Sequence, residues 1–233
     1  KKTNNNVTIV AAYLKQSIIN HDLGEYDKAL VLAKQSLKIS NEKKITKYII
    51  QIYSIIGNTY MRQSNLENSL EYHIKALKQA EIEKDSIWIS SCYNNIGAVY
   101  FNLQDYSKAL DNYLKAISFK ESDNSNKAKL ASSYNNIAII YRKYKDYEEA
   151  LKYYHKALEL KVQSNDLLSS ASTHNNIALV YSSMKNFTLA EKHLKEAYAI
   201  YKQFENKSGL ASNLINHASI YMNKGDYNKA LEY

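Results

Sequence analysis

One spacing governs this chain. A tyrosine recurs at Tyr60, Tyr100, Tyr141, Tyr181 and Tyr221, in steps of 40, 41, 40 and 40 residues. A second register runs through Tyr26, Leu66, Tyr106, Tyr147, Phe187 and Tyr227, in steps of 40, 40, 41, 40 and 40. Six copies in register make this an internal repeat, and such a chain folds as one elongated array whose units pack on their neighbours. Its 233 residues are therefore read as a single array rather than as one or two globular domains.

The third copy shows what the unit is. Tyr93, Ile96, Gly97 and Tyr100 recur at helical spacing, then comes a turn at Asn102 to Gln104. Asp105 is placed to cap a second helix that carries Tyr106, Ala109, Leu110, Tyr113 and Ala116 on one side. Proline is absent and glycine is limited to five residues, as an all-helical chain requires. The expected fold is all-α, a solenoid of about six helix-turn-helix repeats over residues 7–41, 45–80, 87–120, 130–160, 169–204 and 210–233. The first copy places polar Gln16, Ser17 and Asn20 where later copies have apolar, small and tyrosine residues, so it reads as an end cap, with Gly24-Glu25 as its turn. Lys1 to Asn6 reads as frayed, and Glu121 to Lys127 as a polar linker that supplies the one long step. Asp146 and Glu149 form a capping pair in the fourth copy. The last copy stops barely two turns into its second helix, so the native polypeptide is expected to continue past Tyr233. The opening KKTNNN without a starting Met points to removal of an N-terminal segment.

Small residues recur for a mechanical reason. Gly57, Gly97, Ala138, Ala178 and Ala218 sit where the two helices of a repeat cross, and Ala29, Ala109, Ala150, Ala190 and Ala230 face them. A larger side chain there would cost about 1–3 kcal/mol. The 22 tyrosines are read as filling the spaces between successive repeats.

Composition closes off several classes. The single cysteine, Cys92, rules out an internal disulfide framework. No apolar run is long enough for a membrane span, and no signal peptide is visible. The formal charge of +8 permits a nucleic-acid partner, but the lysines are spread through every repeat beside acidic residues and no face concentrates them. The chain reads as soluble, with its compartment open and the cytoplasm favoured over the periplasm. Its richness in Lys, Asn and Ile suggests an AT-rich bacterial genome.

The pattern resembles the tetratricopeptide repeat, whose motif runs W-x2-L-G-x2-Y, then A-x3-F, then P. Here the third copy gives Tyr93, Ile96, Gly97 and Tyr100, then Ala109 and Tyr113. Two departures stand out: the period is 40 rather than about 34, and the proline is missing. The long variety is similar to that of kinesin light chains, LGN-type polarity adaptors and Rap-type bacterial peptide receptors. The resemblance implies a right-handed superhelix whose first helices line a concave groove for a peptide or partner protein.

Asparagines single themselves out as candidate groove residues. Asn95, Asn136, Asn176 and Asn216 each stand five residues before the repeated tyrosine, and Asn94, Asn135 and Asn175 directly precede three of them. Asparagine is a mediocre helix former, so its return in mid-helix wants a reason. Its side chain donates and accepts, which suits a peptide backbone of any sequence; in the resembled families, asparagine at this position does that. Ser91, Ser132, Ser172 and Ser212, one turn earlier, would keep the groove open. The alternatives are bonds between helices or exposure to water. Arg62, Arg142 and Lys143 stand near the ends of first helices, either as a clamp for carboxylates or as ordinary surface charge.

Enzyme chemistry finds no support in the sequence. His21, His73, His155, His174, His193 and His217 are scattered over separate copies, with no H-x-x-x-H pair, and Cys92 has no companion for a metal site. No cofactor, metal or small-molecule substrate is therefore expected, and His174 and His217 read as packing residues. Two functional readings follow: a peptide- or protein-binding module, or the ligand-sensing arm of a larger bacterial signalling protein such as a histidine kinase or transcription regulator. Self-association through the terminal repeats is a third.

Overall fold

Two apolar stripes at helical spacing, separated by a turn, fold as a helical hairpin. A computed structural model of the chain describes residues 2–120 and 127–233, the side chains of residues 2–4 and 120 excepted. Among them are twelve helices and no strand. They are α1 (Lys2–Asp22), α2 (Tyr26–Lys43), α3 (Ile49–Arg62), α4 (Leu66–Glu83), α5 (Ser86–Asn102), α6 (Tyr106–Lys120), α7 (Lys127–Lys143), α8 (Tyr147–Gln163), α9 (Leu167–Ser183), α10 (Phe187–Gln203), α11 (Lys207–Lys224) and α12 (Tyr227–Glu232). Each sequence repeat is one pair. α1 begins at Lys2, so the polar opening that reads as frayed is helical. Of the expected linker, Glu121 to Asn126 lie outside the described residues, and Lys127 already belongs to α7.

The chain divides into two compact units, Lys1–Ser122 and Asp123–Tyr233. In the first unit α1 packs on α2, α3 on α4 and α5 on α6, and the first helices α1, α3 and α5 touch in succession. Its cores join Val10, Leu14, Leu30 and Ile52 at one end and Ile50, Ala76, Ile89 and Cys92 at the other. Burial pushes the Cys92 thiol up to about 12, so it is an inert packing residue. The second unit repeats the plan: α7 with α8, α9 with α10 and α11 with α12, the first helices again in contact. Ala138, Ala150, Tyr154, Ile177 and Val180 form one buried cluster there, and Ala178, Ala190, Leu194 and Ile220 the next.

The turns explain why the register is so regular. Asn65, Asp85, Asp105, Asp146, Asp166, Asn186, Asn206 and Asp226 each accept the backbone N–H three residues on. The residue just before each cap is left-handed: Ser64, Lys84, Gln104, Lys145, Asn165, Lys185, Glu205 and Gly225. From the second repeat on, the cap's own N–H within each repeat reaches back to the carbonyl of the repeated tyrosine, as Asp105 does to Tyr100 at 3.0 Å and Asp146 to Tyr141 at 2.9 Å. The recurring tyrosine therefore marks the end of each first helix through its backbone as well as its ring.

The crossing positions behave as their size demands. A Cβ on Gly97 would lie 2.8 Å from the Tyr113 ring and 3.2 Å from the Ala109 carbonyl. Ala109, Ala138, Ala150, Ala178 and Ala190 are fully buried. Ser17, read as part of a polar cap, is instead the buried crossing residue of the first repeat, and its Oγ donates to the Ala29 carbonyl at 2.8 Å. Ala218 and Ala230, in the last pair, are only half-buried.

The aromatic residues pack between repeats, as Tyr60 and Tyr72 do on the core shared by the first two, and also within them. In the second, fourth, fifth and sixth repeats the recurring tyrosine stacks on the residue twelve positions later. Tyr60 meets Tyr72 at 5.8 Å, Tyr141 meets Tyr153 at 5.5 Å, and Tyr221 meets Tyr233 at 5.7 Å between ring centroids. Tyr53 and Tyr134 close the other side of the same ring, at 6.1 and 5.9 Å. Lys75 and Lys156 lie over these rings, adding a cation–π contact.

Two stability predictions follow from these contacts. Gln104 holds φ 60, a conformation that glycine adopts freely, as Gly24 and Gly225 do in the matching turns at φ 81. Gln104→Gly is expected to raise stability by about 0.5–1 kcal/mol after the entropic cost of glycine; chemical denaturation measures it, and a loss of stability would show that the turn is unstrained. His73 is fully buried against Gly57, both ring nitrogens lack a partner, and burial lowers its pKa to about 4. Because the folded-state value is depressed below the unfolded one, its contribution is intact above about pH 6.5 and is lost as pH falls toward about 4. Relative to His73→Leu, whose side chain the equivalent Leu194 shows to fit, the chain should lose about 2 kcal/mol more on going from about pH 7 to about pH 5. Urea midpoints at the two pH values check this, and parallel losses in both proteins would overturn it.

Candidate functional site

Helical periodicity sends neighbouring asparagines to different fates. In the second unit a cavity of about 450 Å³ is lined by Ser172, Asn175 and Asn176 of α9 and by Ser212 and Asn216 of α11. Tyr201 and Asn206 form another of its walls. Asn176 and Asn216, with the two serines one turn before them, thus share one pocket, as their matched positions in successive copies require. The other two members of that set, Asn95 on α5 and Asn136 on α7, are half-buried on first helices. Among the described residues, the side chains of Asn95, Asn136 and Asn216 have no hydrogen-bond partner within the protein.

The asparagines one position earlier are drawn into the framework. Asn175 is nearly buried, and its Oδ1 accepts from Asn213 Nδ2 at 2.7 Å. The same Asn213 Nδ2 also donates to the Leu194 carbonyl at 3.0 Å, so this bond ties α9, α10 and α11 together. Asn135 Oδ1 lies 3.5 Å from Asn176 Nδ2, at the limit of a hydrogen bond. Asn94 is half-buried on α5. Of the basic residues, Arg142 is half-buried beside Tyr154 with its Nε unpartnered, and it is not among the residues lining the pocket. Burial raises the Tyr154 hydroxyl to about 12, and the Arg142 cation opposes that rise. Lys143 and Arg62 are exposed.

Sequence reasoning missed Tyr201, Asn206 and Gly209. The Tyr201 hydroxyl lies 3.0 Å from Ser172 Oγ, and Asn206 caps α11 by accepting from Gly209 N–H at 2.8 Å. A Cβ on Gly209 would come within 2.3 Å of the Tyr201 ring, so glycine sets how deeply that ring recedes from the pocket. The signal was a glycine inside a helix where the preceding copy has Ser169.

The histidines are less scattered than their spacing implies. His174 on α9 and His193 on α10 meet Nδ1 to Nδ1 at 2.9 Å. Glu196 Oε2 lies 3.0 Å from the first nitrogen and 3.5 Å from the second. Burial lowers the pKa of His174, against the opposing pull of Glu196. Burial and then His174 lower that of His193 to about 4, so both rings are neutral near neutral pH. His217 packs on Tyr233 with ring centroids 4.6 Å apart, but its buried Nδ1 has no partner.

This architecture can be set beside known proteins. Models of the tetratricopeptide repeat match residues 48–122 and 129–203, and another matches residues 211–233. The chain belongs to the tetratricopeptide-repeat family. Its fold class is accordingly an all-α repeat solenoid. No curated protein sequence matches it. Among solved structures it is similar to the apo form of RapI, with 20% identity, 97% of this chain and 80% of that one covered, and a TM-score of 0.76. A Rap protein complexed with competence and sporulation factor gives 16% identity over 94% of this chain and 61% of that one, at 0.77. A signal transduction ATPase with numerous domains that carries a tetratricopeptide repeat sensor, from Pyrococcus horikoshii, gives 20% identity over 97% of this chain and 36% of that one, at 0.80. These identities carry the fold alone. Among the described residues no helix of this repeat protein is long and apolar enough to cross a membrane.

An asparagine bonded into the framework and one left open on the pocket differ in what their loss should do. Asn213→Ala leaves the Asn175 oxygen and the Leu194 carbonyl without their donor and is expected to cost about 1–3 kcal/mol. Asn216→Ala should stay within about 0.5 kcal/mol. Thermal melts of the two variants distinguish them, and equal losses would make Asn216 a structural residue too.

Proposed function

We propose that the pocket between α9 and α11 receives an extended segment of a partner peptide or protein, and that the chain is a binding module that performs no catalysis. One observation carries the reading: Asn176 and Asn216, at matched positions on adjacent first helices, line one open pocket with Ser172 and Ser212. Packed helices lie about 8–10 Å apart. Three residues of extended chain span about the same distance, at about 3.3 Å each. Amides repeated at that interval meet equivalent points of a peptide backbone, offering it a donor and an acceptor each time. Such contacts are largely independent of the peptide's sequence, so selectivity falls to the pocket walls, Tyr201 among them.

Asn136 extends the proposed contact set to α7, with Asn135 and Asn175 in support, and in the first unit Asn95 and Asn94 are proposed for the matching role on α5. Arg142 and Lys143 are left outside it. The Rap protein solved with competence and sporulation factor shows that a fold of this kind accommodates such a factor. A sensing arm of a larger signalling protein is the second reading. It is favoured by the likeness to a signal transduction ATPase with a tetratricopeptide repeat sensor, 36% of whose chain is covered.

The test is a random peptide library selected on the purified chain, followed by affinity measurement on the enriched peptides. Asn176→Ala combined with Asn216→Ala is expected to weaken them at least tenfold, on the order of 1.4 kcal/mol, with helicity and melting temperature unchanged. Enriched peptides that bind the double variant equally well would overturn the assignment of the pocket.

A further inference from the structure

The copies of the repeat act as internal controls for one another, and at one place the fifth copy departs from them in concert. In the second and fourth copies, three residues that meet at the helix pair are two tyrosines and a lysine: Tyr53, Tyr72 and Lys75, then Tyr134, Tyr153 and Lys156. The equivalent residues of the fifth copy are His174, His193 and Glu196. All three positions have exchanged ring stacking under a cation for groups that coordinate metals, while Tyr181 keeps its place, its ring 5.6 Å from that of His193.

The geometry gives the exchange its meaning. His174 Nδ1, His193 Nδ1 and Glu196 Oε2 form a triangle with sides of 2.9, 3.0 and 3.5 Å. Ligand atoms about 2.1 Å from a tetrahedral centre stand about 3.4 Å apart, so the triangle is close to one face of such a site. Without a cation the arrangement is poorly satisfied. Each Nδ1 can carry at most one hydrogen, yet each faces both the other nitrogen and a carboxylate oxygen. The imidazoles are largely buried, with 14% and 12% of their side-chain surface exposed, while Glu196 at 40% leaves an entry path.

We propose that His174, His193 and Glu196 form a binding site for a divalent transition metal, with zinc the ion that suits a nitrogen and carboxylate set of this size. His193 and Glu196 are presented by one face of α10, three residues apart, and His174 closes the set from α9. The fourth position falls to water or to His155 of α8, whose ring centroid lies 6.4 Å from that of His193. The ion thereby pins together the two helices of the fifth repeat.

The experiment uses the chain with no affinity tag, stripped of metal, and titrated with zinc chloride in a calorimeter. One equivalent is expected to bind at micromolar or tighter dissociation constants, and saturating zinc should raise the melting temperature. The deciding variant is His174→Tyr, His193→Tyr and Glu196→Lys together. It restores the set carried by the second and fourth repeats, so the fold already accommodates it. It should weaken zinc binding at least about 100-fold, beyond what loss of an outer-shell partner produces. His217→Ala should bind as the parent does. The absence of zinc uptake by the parent, or uptake undiminished in the triple variant, would overturn the site.

Discussion

The structure depends on how closely two helices can approach within each repeat. Gly97 and Ala109 let the backbone of α5 and the ring of Tyr113 meet where one added methyl would clash at 2.8 Å. That approach buries the apolar stripes of both helices at once, and the cores shared with the neighbouring repeat are built on it. The first repeat shows how narrow the requirement is. It places Ser17 at the same crossing, and the hydroxyl fits only because it finds the Ala29 carbonyl. The second repeat pairs Gly57 with His73, whose unpartnered nitrogens are the cost of filling that space with a ring.

The turns convert this local packing into a regular array. From the second repeat on, each within-repeat turn pairs a left-handed residue with an Asn or Asp cap and closes on the carbonyl of the repeated tyrosine. Non-glycine residues take the strained position in most of the turns, so the strain is carried by what the turn secures. A cap and a closing bond fix where one helix ends and the next begins, and so hold the phase of every side chain after it. Constant phase is what sets Asn176 and Asn216 into one pocket from positions 40 residues apart.

The sequence displayed whatever the repeat requires of every copy. Helix pairs, crossing positions and the caps at Asp105 and Asp146 all recur at a fixed interval, and recurrence is visible without coordinates. What stayed hidden depends on partners that only one copy possesses. Asn175 and Asn176 look alike in the chain, yet a rotation of about 100° between consecutive helical residues separates them. Both border the pocket, but one is locked to Asn213 while the other is not. Arg142 reads as a surface cation because its helix is ending, but Tyr154 offers it a buried neighbour. The tyrosines were legible as packing residues, though not as partners within a repeat, since a contact twelve residues apart across a turn has no periodic signature.

The same logic separates the histidines. His73 and His217 each replace an apolar residue singly, and each ends in the core with unpartnered nitrogen. A lone replacement of that kind gains no neighbour suited to it and shows only that the packing tolerates a ring. His174 and His193 differ because they change together, at two positions that touch, and because Glu196 replaces the lysine that would repel a cation there. Spacing rules for metal ligands look along one helix and find only a histidine and a glutamate three residues apart. The third ligand comes from the other helix of the hairpin, 19 residues away, and the close crossing brings it within reach. The interaction that holds every repeat together therefore also assembles, in one of them, a set of side chains that packing alone does not call for.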